Sequence, residues 1–277
     1  MTRIDTGTGV ALDYEVHGNE GPWVVLIMGL AYGRWGWHWN AGPLAERGYR
    51  VVTFDNRGVG GSDAPPGPYT AAEMAADTAG LMDALGIERA HVVGTSLGGF
   101  VAQELALARP ELIERLVLAC TGFGGADFVP MPQRTLDLIE LAPTLPDEER
   151  LRRFIENAFS DEFVTQRPDV VQTVIDFRRE SNQPLESYMA QWNAGATFDA
   201  SDRVHVIEAE TLCITGLEDA VVDPRNTPLL AERVPGAAIT TLPGGHLFFI
   251  EQAREFNRIV ADFLAGGRDA IREVRTA

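Results

Sequence analysis

Lysine is absent from this chain. All 23 basic side chains are arginine, set against 40 acidic ones in 277 residues, which gives a net charge of −17 and a pI near 4.6. Without lysine there is no Schiff-base chemistry, no P-loop phosphate cradle and no protein-kinase catalytic pair. Without a basic surplus, nucleic acid and anionic membrane surfaces are poor partners. Cysteine is scarce: Cys120 and Cys213 each end an apolar run, which reads as two reduced, buried thiols rather than a disulfide framework. No stretch reaches the roughly 18 consecutive apolar residues of a membrane span. Met1–Asp5 carries no apolar run, so no signal peptide, no membrane partner and a cytoplasmic location are expected. Repeats, low-complexity tracts and long charged tails are missing too.

What is present is a chain 45% apolar, enough for a large buried core. Short apolar, β-branched runs fall at Val10–Val16, Trp23–Met28, Arg50–Phe54, Ala90–Val93, Leu116–Cys120, Thr211–Thr215 and Ala238–Leu242. Several are continuously apolar, as strands covered on both faces require. Helical patterns alternate with them. The helix expected over Thr70–Leu85 opens on a capping box, Thr70 with Glu73, and closes at Gly86. Such alternation predicts a doubly wound α/β sheet, with Val10–Val16 at an antiparallel edge.

From Phe123 to Phe198 the alternation stops. Helical stretches Arg134–Leu141, Asp147–Phe159, Arg167–Glu180 and Leu185–Trp192 are separated by prolines, and strands resume at Thr211. The expected organisation is a core of residues 1–122 and 199–277 with a helical cap, 123–198, inserted over the strand ends. Open α/β sheets bind ligands at that edge.

The sharpest signal is Gly94-Thr95-Ser96-Leu97-Gly98, between an apolar strand and a helical run. A serine on such a turn exposes its hydroxyl, and the glycines permit close backbone approach. Serine needs a base. Of the five histidines, His246 stands on a loop, Pro243-Gly244-Gly245-His246, after the last strand and at the same sheet edge. The base needs a carboxylate to orient it. Asp219 follows the Thr211–Thr215 strand and is preferred; Asp223 is the rival, with Glu218 and Asp127 less favoured. The order Ser96, Asp219, His246 differs from both common serine-protease orders.

With these residues the chain resembles the α/β-hydrolases over essentially its whole length. Phe54-Asp55-Asn56-Arg57-Gly58-Val59-Gly60-Gly61-Ser62 is similar to the family's D-x-R-G-x-G-x-S loop. The resemblance implies an α/β-hydrolase fold, a mostly parallel eight-stranded sheet flanked by helices with the cap inserted. Within the family the chain looks most like bacterial carboxylesterases and 3-oxoadipate enol-lactonases. The usual His-Gly ahead of the oxyanion hole is here Met28-Gly29, so the hole is assigned to the backbone amides of Leu30 and Leu97. A serine nucleophile disfavours the dehalogenase and epoxide-hydrolase mechanisms. Leu247 follows His246 where C–C bond hydrolases often carry Trp.

The expectation is a Ser-His-Asp hydrolase of a small carboxylic ester or lactone, working through an acyl-enzyme, with no metal and no organic cofactor. Its pocket is expected from Tyr32, Phe123, Phe128, Trp192, Leu247 and Phe248. Trp35, Trp37 and Trp39 are assigned chiefly to packing. Two other readings stay open. One is a C–C bond hydrolase or cofactor-free haloperoxidase-type perhydrolase on the same triad. The other is a non-enzymatic hydrolase-fold receptor. Self-association as a homo-oligomer is also open. The net negative charge favours neutral substrates unless local arginines, such as Arg34, Arg178 or Arg179, override it.

Overall fold

The structure is a computed structural model that describes residues 2–181 and 183–267. Eight strands form one sheet: β1 (Thr2–Asp5), β2 (Ala11–His17), β3 (Trp23–Ile27), β4 (Arg50–Phe54), β5 (Ala90–Thr95), β6 (Ile113–Ala119), β7 (Glu210–Gly216) and β8 (Ala238–Leu242). Their spatial order is β1-β2-β4-β3-β5-β6-β7-β8. The β1–β2 and β2–β4 pairs are antiparallel and every other pair is parallel. The sheet therefore matches the α/β-hydrolase architecture that the resemblance implies.

Continuous apolarity in the central strands reflects two separate cores. Val25, Ile27, Val52, Val92, Leu116, Leu118 and Cys213 pack on one face with the helices Ala71–Ala84 and Leu97–Ala108. Val24, Leu26, Val51, Val93, Val117, Leu212 and Ile214 pack on the other with the helix Ala253–Gly266. Alternate side chains along a strand enter opposite cores, so both faces of these strands are predominantly apolar. The capping box is formed as expected: the Glu73 amide donates to Thr70 Oγ1 at 3.2 Å, and the Thr70 amide to Glu73 Oε2 at 2.8 Å. Both cysteines are free and buried.

Strand β1 has no counterpart in the sequence reading. It is polar and largely exposed, and pairs with β2 from Thr2↔Tyr14 to Asp5↔Ala11. The helical insertion follows β6 as Gln133–Leu141, Asp147–Asn157, Asp161–Gln166, Pro168–Glu180 and Leu185–Ala196. The short Asp161–Gln166 helix, N-capped by Ser160, was not expected. At the insertion's neck the Ala200 amide donates to the Phe123 carbonyl at 2.8 Å, and Gly124 bridges Asp199. A Cβ on Gly124 would lie 2.0 Å from the Phe198 carbonyl oxygen, so this junction needs glycine.

His91 in β5 shows what an ionisable group costs in such a core. It is 4% exposed, and its Nδ1 has no hydrogen-bond partner among the described residues. Burial, reinforced by the Arg115 charge, pushes its pKa down to about 4. The unfolded chain takes the proton near 6.5. Between these values the unfolded state binds more protons, so stability is full above pH 6.5 and falls as pH drops toward 4, by up to about 3 kcal/mol. Asp55, its carboxyl raised chiefly by burial, opposes this only at the acid end. Thermal melts of wild type and His91→Leu from pH 7 to 4.5 should show a shallower decline in the variant; parallel declines would overturn the assignment.

Candidate active site

The serine turn explains its own sequence. β5 ends at Thr95, the helix begins at Leu97, and Ser96 between them holds φ 53°, ψ −121°. This is a left-handed, strained conformation for a residue with a Cβ. A Cβ on Gly94 would sit 2.3 Å from the Gly98 carbonyl oxygen, and one on Gly98 2.2 Å from that of Ile27. Both glycines are therefore demanded by backbone contacts, one within the turn and one to the end of β3. The Ser96 amide donates to the Ala119 carbonyl at 2.9 Å, and Thr121 Oγ1 donates to the Ser96 carbonyl at 2.9 Å.

The loop after β3 lies against this turn: a Cβ on Gly29 would be 3.0 Å from Ser96 Cβ. Met28 is buried and held at both ends. Asn56 Nδ2 donates to its carbonyl at 2.9 Å, and Thr95 Oγ1 to its sulfur at 3.4 Å. Leu97 is the first residue of its helix, so its amide has no carbonyl four residues back in that helix. The Ala31 amide is already committed, donating to Gln191 Oε1 at 3.1 Å.

Asp219 and His246 meet as expected. Their Oδ2 and Nδ1 atoms are 2.8 Å apart, with the carboxylate fully buried. Asp219 Oδ1 accepts from the Val221 and Val222 amides at 2.8 and 2.9 Å. The rivals are engaged elsewhere: Asp223 with Arg225 at 2.7 Å and Asp127 with Arg233 at 2.6 Å. The histidine loop is braced on both sides. The Glu218 amide donates to the Gly244 carbonyl at 2.9 Å, and the Leu247 amide to that of Ala158 at 2.8 Å. Glu251, which the sequence did not single out, accepts from the Gly245 amide at 2.8 Å and from the Ser160 amide at 2.9 Å. Cys120, at φ 42°, completes the surroundings. Its sulfur lies within 4.8 Å of a ligand atom of both Asp219 and His246, and burial with the Asp219 charge pushes its thiol pKa up.

Several pocket expectations need correction. Trp192 is 36% exposed, because the helix Leu185–Ala196 buries the stripe Ser187, Ala190, Gln191 and Ala194, and Trp192 lies off it. Phe248 is core, packed edge-on to Phe249 and Phe256 at 6.0 and 5.7 Å. Phe123 is fully buried beneath the Arg233 guanidinium at 4.1 Å. Phe128 meets Phe100 edge-on at 6.5 Å below the insertion, and Leu247 adjoins the histidine. Trp37 packs on Phe249, and Trp35 lies between Tyr32 and Phe177. An open groove of about 460 Å³, lined by Arg47, Glu251–Glu255 and Arg258, contains neither Ser96, Asp219 nor His246.

Tyr32 leads to a cation. It is half-buried, and burial raises its phenol pKa while the Arg178 charge lowers it in part. Arg178, on the helix Pro168–Glu180, lies near both Tyr32 and Tyr188, and burial holds its guanidinium below the ordinary value. Its guanidinium donates to Gln183 Oε1 at 2.9 Å, and among the described residues no carboxylate lies within 4 Å of it. Neighbouring Arg179, by contrast, is paired with Glu148 and Asp176.

A serine on a strand-to-helix turn and a buried histidine–aspartate pair, in the chain order Ser-Asp-His, form a hydrolase-type site. The alpha/beta hydrolase fold family model matches residues 22–253, and the chain belongs to that family. It is 33% identical to a 2-hydroxy-6-oxononadienedioate/2-hydroxy-6-oxononatrienedioate hydrolase of Burkholderia vietnamiensis (strain G4 / LMG 22486), over 94% of this chain and 93% of the relative. Among solved structures it is similar to the enol-lactonase of Burkholderia xenovorans LB400, with TM-score 0.82 and 29% identity over 93% and 97% of the two chains. It is also similar to a meta-cleavage product hydrolase of Pseudomonas fluorescens IP01, with TM-score 0.78 and 28% identity over 93% and 95%.

Proposed function

We propose that this hydrolase acts on a carboxylate-bearing substrate through Ser96, His246 and Asp219, and that the bond it cleaves is the C–C bond of a 2-hydroxy-6-oxo-dienoic acid. The observation that carries this is Arg178, a half-buried guanidinium with no acidic partner among the described residues, beside the loop that follows β3. A desolvated cation of this kind suits a substrate carboxylate. The relative from Burkholderia vietnamiensis is named for dicarboxylate substrates of this class. The net negative charge of the chain, which favours neutral esters, is answered locally by this arginine.

The chemistry follows from the groups present. Transfer of a proton from the substrate 2-hydroxyl to C5 makes the C5–C6 bond cleavable, because departing electrons then delocalise onto the 2-oxo group. Ser96 Oγ attacks the 6-oxo carbonyl as His246 takes its proton, and the Leu30 and Leu97 amides receive the oxyanion. Collapse breaks C5–C6, the dienolate takes its proton from His246, and water activated by His246 releases the acyl group. The helical insertion covers the substrate, and Arg178 holds the carboxylate of the leaving half.

Leu247 and the similarity to an enol-lactonase favour the second reading, an ester or lactone hydrolase. A panel of a 2-hydroxy-6-oxo-dienoic acid, p-nitrophenyl esters and lactones separates them: turnover of esters or lactones without the dienoic acid returns the assignment to a carboxylic ester hydrolase. Arg178→Met should raise KM for carboxylated substrates by about 10²-fold, equivalent to nearly 3 kcal/mol, and change neutral-ester kinetics by less than about threefold. Equal effects on both would remove the carboxylate role.

A further inference from the structure

Gln191 is a fully buried amide on the insertion helix Leu185–Ala196. Its Oε1 accepts from the Ala31 amide at 3.1 Å and from Gln183 Nε2 at 3.1 Å, and its Nε2 donates to the Arg57 carbonyl at 2.7 Å. The amide orientation is forced, because a flip would set Nε2 against two N–H donors and Oε1 against a carbonyl. Ala31, at φ 67°, is a non-glycine residue in the left-handed region, a conformation that persists only where its surroundings impose it. Its neighbour Leu30 carries one of the two assigned oxyanion amides. The Ala31 amide thus faces a side chain 160 positions away, and Arg57, the other end of the bridge, belongs to the loop whose Asn56 holds the Met28 carbonyl. Tyr69 and Asn193 add to the same contact: the Tyr69 amide donates to the Ala190 carbonyl at 3.3 Å, and Asn193 Nδ2 to the Tyr69 carbonyl at 3.1 Å.

We propose that Gln191 is a positioning residue that fixes the Leu30–Ala31 loop, so that the oxyanion hole is complete only with the helical insertion seated. This rests on the serine-hydrolase reading above. It makes the insertion a working part of the reaction centre as well as a cover. Because Gln183 bonds both Arg178 and Gln191, the cation and the oxyanion loop belong to one hydrogen-bonded chain. An anion seated on Arg178 therefore has a direct structural route to the hole.

The test uses the full chain. Gln191→Met keeps the volume and removes both hydrogen-bonding groups. Misplacing one oxyanion donor should lower kcat by about 10²-fold, with KM within about threefold and a parallel loss in the rate of Ser96 labelling by a fluorophosphonate. Gln191→Glu provides the second arm. Its carboxylate repels the Arg57 carbonyl, whereas the neutral acid accepts from Ala31 and donates to Arg57 as the native amide does. Its kcat relative to wild type at the same pH should therefore rise from pH 7 to 5. A Gln191→Met enzyme within threefold of wild type in both kcat and labelling rate overturns the proposal. If that variant does not fold, a flat Gln191→Glu ratio overturns it. Failure of the underlying reading looks different: wild-type enzyme would then take no fluorophosphonate at Ser96.

Discussion

Replacing Ser96 by alanine should lower kcat by at least about 10⁴-fold and abolish fluorophosphonate labelling, with little change in thermal stability. Removing the nucleophile removes the group on which the rest of the triad acts, so the loss is of the order seen for whole-triad removal in serine hydrolases. Stability is spared because alanine keeps the Cβ and therefore the strained φ 53° backbone. Ser96→Gly separates the two consequences. It should be equally inactive yet more stable by about 1 kcal/mol, the relief of left-handed strain less the added chain entropy of glycine. For a chain of this size that is about 2 °C in Tm. Turnover by Ser96→Ala within tenfold of wild type would remove Ser96 as nucleophile. A Ser96→Gly variant less stable than Ser96→Ala would show that the turn stores no strain.

The serine turn was legible because its glycines answer to contacts close at hand: Gly94 to Gly98 within the turn, and Gly98 to the end of an adjacent strand. The central strands were legible because alternate side chains feed two apolar cores, which leaves long unbroken apolar runs. Strand β1 was not, since a polar, exposed edge strand carries no hydrophobic period and exists only through its pairing with β2. Trp192 was misplaced because apolar weight suggested an inward face. The helix instead docks through its small residues Ser187, Ala190 and Ala194, which let Gln191 reach the loop beyond. A polar residue within a stripe of small ones was the available signal for Gln191. Its partners, at positions 31 and 57, lie over a hundred residues away, and no local pattern reports them. The sequence offers Arg34, Arg178 and Arg179 alike, and only the structure separates Arg178 from paired Arg179 and from Arg34, which bonds Asp13 and Asp55.

Asp219→Asn should cost about as much activity as a lost catalytic group, near 10⁴-fold in kcat, although it changes one atom. Asp219 Oδ1 accepts two backbone amides, from Val221 and Val222. In the variant only the amide oxygen can occupy that position, so the NH2 group must replace Oδ2 and face His246 Nδ1 at 2.8 Å. There it donates. His246 Nδ1 must then accept, which places the imidazole proton on Nε2, and an Nε2–H cannot take the proton of Ser96. The turn itself should hold, because its two amide contacts are retained and Tm should fall by only a few degrees. Asp219→Ala, which leaves those amides unpaired as well, should lose more stability while imposing no wrong tautomer. Asp223→Asn, whose carboxylate is paired with Arg225 away from the imidazole, should stay within about threefold of wild type. Nitrogen-15 chemical shifts of the His246 ring would read the tautomer directly. An Asp219→Asn enzyme with Nδ1 still protonated, or with kcat within tenfold of wild type, would show that Asp219 does not orient the base.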